Sequence, residues 1–66
     1  MIEPKFDVPV QLTGEDGNAF FIIGAVSRAL ERAGHDDGAR EYRDAAFACK
    51  SYDELLVLTM GTVDVS

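Results

Sequence analysis

The segment 19–33, AFFIIGAVSRALERA, constrains this chain more than any other part of it. Ala19, Ile22, Ile23, Val26, Ala29, Leu30 and Ala33 recur at three- and four-residue spacing, which predicts a helix from Ala19 to about Ala33 with one broad apolar face. Phe20 and Phe21 widen that face at its N-terminal end, and Ser27, Arg28, Glu31 and Arg32 supply the wet side. A face this wide has to be covered, and the whole chain has only 66 residues with which to cover it. At that size folding removes only about 60% of the extended-chain surface from water, which allows one domain with a small core. Gly34 is predicted to end the helix as a left-handed cap. Gly24 costs about 1 kcal/mol of helix propensity relative to alanine, and its presence predicts a close crossing by another element.

The flanks divide into shorter units. Residues 8–13, VPVQLT, alternate apolar and polar as a half-buried strand does, and Pro9, lacking an amide hydrogen, puts the start of that strand at a sheet edge. Gly14-Glu15-Asp16-Gly17 reads as a turn, with Asn18 as N-cap of the first helix. His35-Asp36-Asp37-Gly38 reads as a second loop, followed by a helix from about Ala39 to Cys49 with Ala39, Tyr42, Ala45, Ala46 and Cys49 on one stripe. Phe47 falls off that stripe. Ser51-Tyr52-Asp53-Glu54 has the form of a capping box, and Tyr52, Leu55, Leu56, Thr59 and Met60 continue it as one face of a short helix over 52–60. A strand through LLVLT is the competing reading of the same residues. Gly61 is predicted to end that element, and Thr62-Val63-Asp64-Val65 alternates as a second strand. The expected fold is therefore α+β, a two-stranded terminal sheet under two or three short helices in the order β-α-α-α-β, with residues 1–7 a flexible lead and 8–66 one domain. Two strands with open edges are marginal alone, so the sheet leans on the helices or extends by pairing across a homodimer.

Twelve acidic against six basic residues give a net charge of −6, and every arginine lies between residues 28 and 43. Binding a phosphate backbone needs cations that release counterions, so this balance argues against nucleic acid as a partner. The longest apolar runs, Ala19 to Ile23 and Leu55 to Leu58, are far too short to cross a bilayer. Cys49 is the single cysteine, which excludes an intrachain disulfide or a cysteine-based zinc cluster and fits a reducing, cytoplasmic setting.

Groups that carry chemistry are sparse. His35 is the only histidine, and a serine triad would need it to meet Ser27 or Ser51 with a carboxylate behind it. Ser27 falls on the wet side of the first helix and Ser51 is committed to capping. The carboxylate pairs Glu15-Asp16 and Asp36-Asp37 lack the spacing of a calcium loop, leaving only weak magnesium binding if both loops converged on His35. GEDGN lacks the spacing of a phosphate loop, and its own carboxylates would repel a phosphate. Cys49 reads as an inert small hydrophobe. Arg28 and Arg32, with Arg40 and Arg43, would form a basic ridge if the two helices lay side by side, but Glu31, Glu41 and Asp44 interrupt it, and Arg40 with Asp44 is spaced for an ordinary i,i+4 pair.

Taken together, QLTGEDGNAFFIIGAVSRALERAG, YRDAAFACKSYDELLVLTM and the closing VDV resemble a family of short uncharacterised bacterial proteins that also occur in phages and mobile elements. The likeness spans Val10 to Val65, with GEDGNAF and YDELL its most specific parts, and it departs at Ala48-Cys49-Lys50-Ser51, where a turn like Ser-Gly-Asp would be expected. It implies one folded unit in an accessory setting and assigns no chemistry. The residues themselves favour a small acidic protein-interaction module, not an enzyme and with no cofactor or metal. Its partner, another protein or a second copy, would meet Phe20, Phe21 and Phe47, rimmed by Glu15 and Asp16. The alternatives are a nucleic-acid accessory protein using the Arg28/Arg32/Arg40/Arg43 ridge and a small hydrolase or metal-dependent enzyme around His35.

Overall fold

The structure, a computed structural model, describes residues 3–12 and 19–65. The first helix, α1, runs Ala19–Arg32 and buries Ile22, Ile23, Val26, Ser27 and Leu30. Val26 and Leu30 are 0% exposed and form its deepest contacts. It ends in a Schellman turn: Gly34 takes φ +89°, its N–H donates to the Glu31 carbonyl, and the His35 N–H reaches the Leu30 carbonyl. The wet side is narrower than expected, because α1 packs on α2, α3 and β1 together and that arc takes in Ser27, only 4% exposed. Gly24 admits no crossing element either. The nearest group to a side chain there would be the guanidinium of Arg28, folded back from its own helix at 3.2 Å.

Helix α2 runs Asp36–Ala48, three residues earlier than the predicted start. Asp36 and Asp37 are its first turn rather than a loop, and their charges favour a helix N-terminus. His35 stands at the N-cap and Gly38 is a buried helical residue. Helix α3 runs Tyr52–Thr62. Ser51 Oγ accepts from the Glu54 N–H at 3.1 Å as the capping box requires, while Glu54 Oε1 accepts from Lys50 N–H at 3.5 Å, one residue upstream of the usual partner. Residues 52–60 are thus helical, not a strand, although the buried face is Leu55, Thr59 and Thr62, and both Tyr52 and Met60 are exposed. Gly61 does not stop the helix. Its carbonyl accepts from the Lys5 N–H at 2.9 Å and that of Thr62 from the Phe6 N–H at 2.9 Å, so the last turn is satisfied by the segment leading into β1.

The strands are shorter than their alternating patterns, β1 being Pro9–Val10 and β2 Asp64–Val65. They pair in parallel, Pro9 opposite Asp64 and Val10 opposite Val65, and the three helices form the crossover that a parallel pair needs. The fold is α+β, with a two-stranded sheet and helices in the order β1-α1-α2-α3-β2. Val8, Val10 and Val63 add the sheet's side of the core. The segment expected as a lead is tied down from Lys5 onward by the bonds to α3 and by Asp64 N–H donating to the Val8 carbonyl at 2.9 Å.

Candidate functional site

Three helix ends converge on one part of the surface: the start of α1, the end of α2 and the start of α3. Phe20 is the second residue of α1 and Phe47 the next to last of α2. Their rings lie 6.2 Å apart, tilted by 46°, within the range of a favourable aromatic pair. They are nonetheless 75% and 62% exposed. Tyr52 opens α3 beside them, because the extended Cys49 and the Ser51 cap turn the chain sharply there. A groove of about 330 Å³ runs between these side chains over a floor that includes Ile23, Ala46 and Leu55.

The sequence reading placed five residues at such a site, and the structure brings two of them together. Phe20 and Phe47 meet; Phe21, one residue on and roughly 100° further round the helix, turns to the core and is half-buried against it. Glu15 and Asp16 lie outside the described residues. The described charges near the groove are of both signs. Asp44 sits three residues before Phe47 and Asp53 follows Tyr52, while Lys50 lines the groove and Arg28 lies over Gly24, one turn from Phe20. Apolar contact therefore dominates this surface more than its charge does.

Among the described residues, the groups an enzymatic reading needs do not come together. His35 is half-buried with its ring 4.7 Å from that of Phe6, beside Asp36, Asp37 and Glu41. Ser51 follows the far end of the 13-residue α2, roughly 20 Å away. Ser27 is buried in α1, where its Oγ has no hydrogen-bond partner among the described residues. Among those residues no three His, Cys, Asp or Glu side chains gather as metal ligands, and no helix is long and apolar enough to cross a membrane. Helices α1 and α2 do pack side by side, and of the four arginines Arg43 pairs across them with Glu31 at 3.2 Å.

One polar feature escaped the sequence reading. Tyr42 Oη and Thr59 Oγ1 are 2.9 Å apart in the buried seam between α2 and α3, and Thr59 donates to the Leu55 carbonyl at 2.8 Å. The threonine hydroxyl has one hydrogen, so Tyr42 is the donor to it. Burial pushes the Tyr42 phenol above its ordinary value of 10.0. Nothing in the spacing of two residues 17 apart signals such a bond. Comparison with family models, curated proteins and solved structures finds no match for the chain, and the function rests on the site alone.

Proposed function

We propose that this protein is a small acidic protein-interaction module without catalytic activity, docking another protein through the Phe20–Phe47 pair and the groove that runs to Tyr52. The observation that carries the reading is the exposure of that pair, 75% and 62%, in a chain with little apolar surface to spare. Aromatic groups left in water beside a groove are the usual anchors of a binding surface, and a few such residues supply most of the affinity. An accessory or regulatory role is the setting that the family resemblance implies.

The test is capture from the native host, followed by rebinding of the identified partner as a purified pair. Phe20→Asp and Phe47→Ser, each confirmed folded by circular dichroism, should weaken that pair by about 2 kcal/mol or roughly 30-fold. Unchanged affinity in both variants would exclude the aromatic surface as the docking site. Sedimentation over a range of concentrations separates a foreign partner from a second copy of the chain.

A further inference from the structure

Beyond Glu54, helix α3 carries no charged residue. Its core side holds Thr59 and Thr62, each donating to the carbonyl four residues back, while Val57 and Met60 face water at 57% and 45% exposure. A helix that is apolar on every side is ordinarily covered on every side. Val57 borders a solvent-open trough between α2 and α3. Two hollows of about 290 and 420 Å³ meet at Val57 and Leu58, the first reaching Glu41, Ala45 and Gly61 and the second Cys49, Asp53 and Glu54. From Gly38 to Cys49 the trough follows α2 for roughly 16 Å, about three turns of a helix. Ala45 and Gly61 keep its walls low, which lets a second helix come close.

The charge along the trough is uneven. At one end Lys5 and Glu41 pair at 3.2 Å and cancel each other. At the other end Asp53 and Glu54 are exposed, and neither is in an ion pair among the described residues. The last turn of α2, which adjoins them, has no basic residue to offset its negative helix end. Lys50 lines the Phe20–Phe47 groove instead.

We propose that this trough is a second docking surface whose occupant is an amphipathic helix of another protein, with an aliphatic face of about three turns and lysine or arginine at the end that meets Asp53 and Glu54. The stripe over Ala45, Val57 and Leu58 supplies apolar contact, and the two carboxylates fix the direction in which the helix lies. The net charge of −6 opposes a second copy of the chain here and attracts a cationic segment. The trough shares only Cys49 with the Phe20–Phe47 groove, so the two surfaces can be lost separately.

Amide shifts of the isotope-labelled full chain, titrated with designed helical peptides of about 16 residues, test this. Both peptides carry leucines along one face, with lysines at the N-terminal end in one and at the C-terminal end in the other. One of them should shift the Ala45, Val57 and Leu58 amides saturably below about 1 mM and leave the Phe20 amide in place. Exchanging its lysines for glutamates should weaken binding at least about tenfold at low salt. Val57→Ser should weaken it about fivefold, and Asp53→Asn with Glu54→Gln by a similar factor while flattening its salt dependence. Phe47→Ser should leave it unchanged. Equal affinity for the lysine and glutamate peptides, indifference to Val57→Ser, or saturable shifts confined to Phe20 and Tyr52 would each overturn the proposal. So would a lack of saturable binding by either lysine peptide at about 1 mM. Shifts of the trough amides on raising the protein concentration alone would assign the surface to a second copy and overturn it as well.

Discussion

The two ends of α2 each carry an aromatic contact, and they are used in opposite ways. At the N-terminal end Phe6 is half-buried, 4.7 Å from His35, pressed on Gly38 and flanked by backbone hydrogen bonds to α3. At the C-terminal end Phe47 meets Phe20 at 6.2 Å with nothing in the described structure over either ring. The first contact is consumed in holding the chain together. The second leaves both rings largely in water. Local sequence points the wrong way, since Phe6 lies next to charged residues and Phe20 within an apolar stretch of the chain. What separates them is the glycine opposite Phe6, which lets a ring approach the helix axis, and the absence of any equivalent opposite Phe47 among the described residues.

Substitutions can break or sharpen this contrast, and the largest effect should come from the residue between the two ends. Tyr42 is 3% exposed, and Tyr42→Ala should cost about 3–5 kcal/mol. A chain this size has roughly 3–10 kcal/mol in total, so urea unfolding should show both ends lost together, the variant largely unfolded at 37 °C. Thr59→Val should cost about 1–3 kcal/mol by leaving the buried Tyr42 hydroxyl without its acceptor, and a smaller loss would mean that the seam admits water. Phe6→Ala should cost about 1–2 kcal/mol, since the ring is only half-buried, and should loosen the N-terminal end alone. Phe47→Ser should change stability by no more than about 0.5 kcal/mol while weakening partner binding, and a larger loss of stability would assign Phe47 to the fold and erase the contrast.

The alkaline limb offers a separate check on the seam between the ends. Tyr42 titrates above its unfolded value of 10.0, so above that pH the native state holds a proton that the unfolded chain has lost. This contribution to stability is fully present below pH 10 and declines as pH rises through the folded value. Tyr42→Phe should cost about 0.5–1.5 kcal/mol at neutral pH and should flatten the decline, which unfolding midpoints measured from pH 9 to 11 would show.

Most of the helical layer was legible in advance. The three- and four-residue spacing of α1, the Gly34 cap and the Ser51 cap all depend on residues within one or two turns, and each appears where its pattern puts it. Two helix boundaries were misplaced, one by local charge and one by a distant partner. Helix α2 begins at Asp36 because two carboxylates at its first turn outweigh the turn signal of Gly38, and α3 passes through Gly61 because Lys5 and Phe6 arrive to take its last carbonyls. Of the candidate site, Phe47 stands out in the sequence by falling off its helix stripe, and Phe20 by widening the face of α1 at its N-terminal end. Phe21 packs half-buried against the core where Phe20 does not, because a one-residue step on a helix decides between core and water.

The amino-acid sequence by itself determined three helices, the Gly34 and Ser51 caps and two terminal segments able to pair, because hydrogen bonding and side-chain periodicity within a few residues encode such elements, while the expected Asn18 cap lies outside the described residues. Only the tertiary structure decided that the strands run parallel, that Ser27 is buried, that Tyr42 bonds Thr59, and which aromatic rings are covered. Those outcomes turn on contacts between residues far apart along the chain, where a single glycine or the path of one strand selects the neighbour and no local pattern records the choice.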